Sequence, residues 1–398
     1  MKAWFKRTDL AMLLDIERLT EKTLLNALDS LDKIDVEQLQ LEIFNALDKK
    51  FHVARKGLVY DVTNTYLYGK NCPLGKAGHD KEGVRGRPLI QITLAVTQDK
   101  GLPLFHKVFD GNIHDARTLQ DIAGNLKQYK IKSGLIVYDR GITSAENIEV
   151  FRDFGWNTLC GVPIRDKLKK KLRPFIKKKK SKSIHNRVRC NKTIFYVRMI
   201  PYKLGKVKGT LALCYNKKKE IDLHESRYDE IRNSEILLTK GKPIKNGLEI
   251  FFDKKGRIIE NKIEEAEEFD GYSCIFSTQS LSKEEIIRIY FDKDIVEKAF
   301  QCLKGIIRLR PIRHWLYNRV TAHTMICYLS YALLSLLKQY LTKLNMSPEK
   351  ALQHLDSMYK VYMKDTKKNF KISRIVTLNK IQKDILRAID KKLIKPKL

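Results

Sequence analysis

The chain has 398 residues, 43% of them hydrophobic and 31% charged, with 78 Lys and Arg against 46 Asp and Glu and a formal net charge of +32. That length buries a full core, and the composition excludes a disordered or fibrous chain. The charge balance points to a polyanionic partner, nucleic acid first and an anionic membrane surface second. The seven cysteines are scattered with no C-x2-C pair, which excludes a zinc ribbon or a disulfide framework and fits thiols in a reducing cytoplasm.

Residues 1–56 read as a helical N-terminal region, with Thr20 capping a helix through Leu31 and a further helix from Val36 to Phe51. The period then changes. Leu58 to Thr63 is β-branched and aromatic, hence a strand, and it carries Asp61 in its middle, where Asp is disfavoured. A Gly- and Lys-rich loop with His79 follows. Pro88–Thr97 and Leu102–Phe109 form a hairpin, and Asp115 caps a helix to about Tyr129. Leu135-Ile136-Val137-Tyr138 is the continuous apolar run of a strand buried on both faces, ending at Asp139-Arg140-Gly141. Ser144 caps the next helix, and Trp156–Val162 is another strand. Residues 57–162 thus form the first part of a mixed sheet with helices.

Residues 163–272 read as a mostly β, basic insertion, with strands at Thr193–Ile200, Thr210–Tyr215 and Glu249–Phe252 and the lysine run Lys177–Lys180. This run is read as a DNA-facing loop, with a solvated linker as the alternative. Residues 273–344 return to the sheet with the strand Tyr272–Ser277, then give one amphipathic helix from Ile286 to Lys304 and a long buried helix from Tyr317 to Leu344. The apolar run inside the last, Met325–Leu337, is short of the roughly 20 residues that span a bilayer, so no membrane partner is expected. Residues 345–398 are expected to be a basic helical tail, opened by Ser347-Pro348-Glu349.

At about 100° per residue, Tyr290, Lys293, Glu297 and Lys304 fall on one face of the Ile286–Lys304 helix, opposite Ile295, Val296, Ala299, Phe300 and Leu303. Charge pairs on a solvated face would produce the same spacing. Asp61, Asp139 and Glu297 stand out by location: a strand middle, a strand end and a helix. Hard divalent cations take oxygen ligands, and two of them can serve an in-line displacement at phosphorus.

The spacing Tyr290-x2-Lys293-x3-Glu297-x6-Lys304 resembles the Y-x2-R-x3-E-x6-K signature of DDE transposases of the insertion-sequence-four group, most closely its sixteen-thirty-four subgroup. Val59-Tyr60-Asp61-Val62-Thr63 and Val137-Tyr138-Asp139-Arg140-Gly141 resemble the two aspartate strands of that family. Gly111 to Asp115 and Leu309 to Trp315 resemble further landmarks. The resemblance implies an RNase H-like fold interrupted by a β insertion. It implies two Mg²⁺ ions, replaceable by Mn²⁺, on Asp61, Asp139 and Glu297. It also implies contacts from Tyr290, Lys293 and Lys304 to DNA phosphates. Arg140, Arg310 and Arg313 are further candidates for DNA, the last two with packing against Trp315 as the alternative. The implied activity is metal-dependent cleavage of double-stranded DNA at element ends with transfer of the 3′-hydroxyl into target DNA, by a homodimer on DNA in the cytoplasm. A nuclease that does not join, and a relic that only binds DNA, share most of these features. Two departures stand out: Lys293 replaces an Arg, which loses the bidentate grip on phosphate, and the stretch before Asp61 is shorter than the family's, as in a truncated copy.

Overall fold

The computed structural model describes residues 5, 8–16, 18–52, 57–69, 71–78, 86–126, 129, 133–176, 182–365 and 370–394. His79 and Lys177–Lys180 lie outside the described residues. In chain order the helices and strands are α1 (Leu10–Leu13), α2 (Glu21–Leu31), α3 (Val36–Phe51), β1 (Gly57–Tyr66), β2 (Leu89–Thr97), β3 (Pro103–Asp110), α4 (Asp115–Leu126), β4 (Leu135–Tyr138), α5 (Ala145–Asp153), β5 (Asn157–Val162) and α6 (Asp166–Ile176). They continue with β6 (Arg187–Cys190), β7 (Thr193–Leu204), β8 (Val207–Tyr215), α7 (Lys217–Thr239), α8 (Glu260–Glu267), β9 (Tyr272–Ser277), α9 (Lys283–Phe291) and α10 (Asp294–Lys304). The last are α11 (Tyr317–Leu341), α12 (Pro348–Asp356), β10 (Lys360–Asp365), β11 (Phe370–Ile375) and α13 (Lys380–Ile389). This is the mixed α/β class, a mixed sheet with helices, that the sequence predicts.

The chain divides into two compact units, one of residues 1–54, 62–113 and 295–398, the other of residues 55–61 and 114–294. In the first unit the strand order is β3-β2-β1. All of β2 is buried, and β3 pairs with it antiparallel. Helix α11 packs here through Val320, Thr324, Met325, Tyr328 and Tyr331. The Tyr328 hydroxyl donates to the Leu104 carbonyl at 3.0 Å and the Tyr331 hydroxyl to that of Gly101 at 2.9 Å. The stretch Tyr317–Leu344 is long and apolar enough to cross a membrane, yet half of its most apolar window is buried in protein. Asp29 of α2 grips Arg319 of α11 through two oxygens, each at 2.8 Å. The expected helical tail also contains an antiparallel strand pair, β10 with β11.

In the second unit the order is β1-β4-β5-β9-β8-β7-β6. β4 lies parallel to both β1 and β5, and its four residues are all buried, as a strand covered on both faces requires. α4 and α5 cover the sheet with Leu119, Ile122, Ala123, Ile148 and Phe151. Ser144 caps α5 by accepting from the Asn147 N–H, as its sequence position indicates. The insertion supplies β6, β7 and β8, and adds the 23-residue helix α7, whose Asn216 cap accepts from the Lys219 N–H. Glu249–Phe252, expected as a strand, is instead a short 3-10 turn at Glu249–Phe251, because Phe251 turns in to pack with Ile231 and Ile263.

The expected single helix from Ile286 to Lys304 is two. α9 ends at Phe291, Asp292 and Lys293 form a turn, and α10 starts at Asp294. Asp292 caps α9, its N–H donating to the Arg288 and Tyr290 carbonyls. The face expected from one continuous helix is therefore split: Tyr290 sits on α9, Lys293 in the turn, and Glu297 and Lys304 on α10.

His106 of β3 is fully enclosed in the first unit. Its ring stacks on Tyr328 at 4.8 Å, and its backbone N–H and Nδ1 both face Gln40 Oε1, at 2.6 and 2.8 Å. Burial lowers its pKa to about 4 from 6.5. Between those values the unfolded chain takes up a proton that the folded chain refuses, so this histidine's contribution is complete above pH 6.5 and is lost as pH falls toward 4. The slope amounts to roughly 3 kcal/mol across the window. Denaturant melts of His106→Phe, which keeps the stack on Tyr328, should show an acid limb flatter by about that amount than wild type.

Candidate active site

The register of β1 against β4 builds the site. Gly57, Leu58 and Val59 stand beside Leu135, Ile136 and Val137. Asp61 and Asp139 each lie two residues beyond the last of these pairs, Asp61 within β1 and Asp139 just past the end of β4. Side chains alternate along a strand, so Asp61 shares the face of Val59. Both aspartates are half-buried, where their strand neighbours Tyr60 and Tyr138 are fully buried. On β4 the run of buried residues ends at Asp139, whereas on β1 Asp61 is a half-buried interruption with Val62 to Thr65 buried beyond it.

Three donors converge on one oxygen of Asp139. The Arg140 N–H lies 2.8 Å from Oδ1, the Tyr290 hydroxyl 2.9 Å, and Lys293 Nζ 3.8 Å. Burial alone would raise the pKa of this carboxyl. The Lys293 ammonium, the Arg140 N–H and the Tyr290 hydroxyl outweigh it and hold the group below the ordinary carboxylate value. Asp139 is therefore an anion at neutral pH. Tyr290 is only 9% exposed, and burial followed by the Asp139 charge pushes its hydroxyl well up, so it remains a donor. The sequence reading gave this hydroxyl to a DNA phosphate; in the structure Asp139 holds it.

Gly161 makes that contact possible. It lies on β5, the parallel neighbour of β4, and a Cβ there would stand 2.3 Å from the Tyr290 hydroxyl and 3.1 Å from the Arg140 Cβ. Any side chain at 161 would push the tyrosine off the aspartate. Thr143 Oγ1 also donates to the Gly161 carbonyl at 2.7 Å, tying the turn after β4 to β5. Neither Gly161 nor Lys219 stood out in the sequence. Lys219, in the first turn of α7, has its pKa lowered by burial and then by Arg140. It lines a cavity of about 300 Å³ with Asn191, Phe195, Asn216 and Phe291. The one available signal was Asn216 as a cap before the run Lys217-Lys218-Lys219.

The remaining sequence candidates are placed as follows. Arg140 is exposed in the turn after Asp139. In the first unit, Glu297 is exposed on α10, opposite the buried Val296, Ala299, Phe300 and Leu303 as its spacing predicts, and Lys304 is half-buried at the end of that helix. Arg310 is half-buried and Arg313 exposed. Asp270, in the turn before β9, is held by Arg227 through two oxygens, at 2.6 and 2.7 Å.

Among the described residues no group of three or more His, Cys, Asp or Glu side chains is gathered for a metal. The Asp61 and Asp139 pair nevertheless fits a hard divalent ion in kind. Mg²⁺ is commonly held by one or two carboxylates, with water and substrate phosphate completing its shell, and Asp139 is ionised and partly open to solvent. Loss of an outer partner of a metal ligand typically costs 10- to 100-fold in affinity or activity. Tyr290→Phe and Gly161→Ala should each weaken Mn²⁺ binding, followed by titration calorimetry, by about 10-fold or more. Circular dichroism should show the fold of both variants intact.

The sequence model of the transposase DDE domain family matches residues 53–333. Among solved structures, a piggyBac transposase synaptic complex with hairpin DNA is 10% identical, with a TM-score of 0.42 over 86% of this chain and 55% of that one. The Mos1 transposase paired-end complex with left transposon end is 12% identical, with a TM-score of 0.20 over 36% of this chain and 43% of that one. The Mos1 mariner paired-end complex with Mn is 14% identical, again with a TM-score of 0.20, over 39% and 56%. The chain thus spans about half the length of these solved chains. No curated protein matches the sequence. Because the family model covers most of the chain, from before Asp61 to beyond Glu297, this protein belongs to the transposase DDE domain family.

Proposed function

We propose that the chain is a DNA transposase that cuts DNA at the ends of a mobile element and joins the freed 3′-hydroxyl to target DNA. The observation that carries this reading is the parallel pairing of β1 with β4, whose last pair, Val59 with Val137, lies two residues before Asp61 and Asp139. Family membership and the net charge of +32 support it. Asp61 and Asp139 would hold divalent cations, Mg²⁺ or Mn²⁺, with Glu297 the third ligand by its place in the spaced signature. Two such ions, once bound, would activate the attacking oxygen and neutralise charge at phosphorus.

The chain's own residues do the positioning, which is most of what phosphoryl transfer requires of a protein. Tyr290 and the Arg140 N–H fix Asp139 Oδ1. Lys293 sets a positive charge beside the same oxygen. Lys293, Lys304, Arg140, Arg310 and Arg313 are assigned to DNA phosphates, and Tyr290 to the support of Asp139. The spacing from Tyr290 to Lys304 and the two aspartate strands favour the insertion-sequence-four group and its sixteen-thirty-four subgroup. A homodimer on paired ends is the proposed working form.

The test is a duplex carrying the inverted repeats that flank the reading frame, incubated with Mg²⁺ or Mn²⁺. Wild type should nick the ends and yield joined products. Asp61→Asn and Asp139→Asn should each reduce cleavage by more than about 100-fold, the top of the range for outer-shell residues. Cleavage without joined product would make the protein a nuclease. Salt-sensitive binding with no cut in any divalent ion would make it a DNA-binding relic.

A further inference from the structure

The first unit carries an exposed patch in which aromatic rings and guanidinium groups alternate. Tyr66 ends β1. Leu67 then bridges in parallel to Ile312, and the Tyr68 N–H donates to the Ile312 carbonyl at 3.1 Å. Leu67 and Ile312 are fully buried, so two short backbone segments are fastened together beneath the surface. Above them, the Arg87 guanidinium lies 4.9 Å from the Tyr66 ring centre and 4.4 Å from that of Tyr68. Arg313 approaches the Tyr68 ring at 5.8 Å. The Tyr66 and Tyr68 rings meet edge to face at 6.0 Å. Trp315 stands over Gly69: a Cβ at position 69 would come within 2.9 Å of the Trp315 Cβ, so only glycine admits this approach.

Tyr68 is 53% and Trp315 56% exposed. Large rings left in water on a fastened scaffold, with cations laid against them, have the composition of a surface that receives a planar, electron-rich group attached to an anion. A nucleobase on its phosphate chain is such a group. Bases in a duplex already bury their faces against one another, so only an unpaired base can present one.

We infer that Tyr68 and Trp315, interleaved with Arg87 and Arg313, form a stacking platform for an unpaired base of single-stranded DNA, with the arginines answering the flanking phosphates. This goes beyond cleavage and does not need the acid pair, so it stands or falls separately from the proposed activity.

The experiment compares binding of a duplex bearing a short single-stranded overhang with a blunt duplex, by fluorescence anisotropy in EDTA, using the full chain. Tyr68→Ala and Trp315→Ala should each weaken overhang binding by about 5- to 150-fold, the equivalent of 1–3 kcal/mol per stacked base, and leave the blunt duplex within about twofold. Trp315→Phe should keep most of the overhang affinity. Equal losses on both duplexes, no loss on either, or a loss seen only with an acidic polypeptide would overturn the inference. A second reading does not depend on the alanine variants folding. An oligothymidylate should quench the tryptophan emission of wild type and should not quench that of Trp315→Phe, while unchanged wild-type emission at saturation would also overturn it. Overhang binding that survives in a chain unable to cut would sink the activity and keep the platform.

Discussion

Strands β1 and β4 run side by side in a register that pairs Val59 with Val137, and this pairing decides where the two aspartates stand. Alternation along a strand makes the arrangement all-or-none: a slip of one residue would send one carboxylate to the opposite face of the sheet. What prevents the slip is burial. Leu58, Val59, Tyr60, Ile136, Val137 and Tyr138 are each at most 2% exposed, and the Tyr60 hydroxyl donates to Thr118 on α4 at 2.8 Å. Moving either strand by one position would bring an aspartate into that apolar interior, where an unpaired charge is expensive.

The same economy explains the surroundings of Asp139. A carboxylate at the edge of a hydrophobic sheet stays ionised only if donors replace the water it has lost. The Arg140 N–H, the Tyr290 hydroxyl and the Lys293 ammonium do so, all on Oδ1. The arrangement reaches back into the sequence through Gly161, whose missing side chain leaves room for the tyrosine. Lys293 offers a compact positive charge and not the planar fork of an arginine. The lysine lies in the turn between α9 and α10, where a compact ammonium reaches Asp139.

Much of this was legible in the residues, and the parts that were not have physical reasons. β4 matches its sequence bounds because a continuous apolar run between turn residues has few alternative readings. α2 and α3 do so because Thr20 and Asp35 mark their starts. The break at Asp292-Lys293 was not visible: a spacing of three, four and seven residues looks the same whether or not the helix is interrupted. The cause of the break is tertiary, since Phe291 stacks on Phe195 of β7 at 4.7 Å. Helix α7 escaped because it is polar almost all round, burying only Ile231 and Ser234, and so shows no apolar stripe. Of the candidate site, Asp61 and Asp139 were singled out by the sequence and remain part of the proposal. The Tyr290 to Asp139 bond was not, because a contact between residues that far apart leaves no local pattern.

The central claim is that Asp61 and Asp139 act as one pair, and a crystal soaked in Mn²⁺ tests it most directly. Anomalous scattering should place an ion about 2.1 Å from a carboxylate oxygen of each aspartate, near the distance expected for a small hard cation. An ion bound by only one of the two, or bound elsewhere with both carboxylates turned away, would contradict the account.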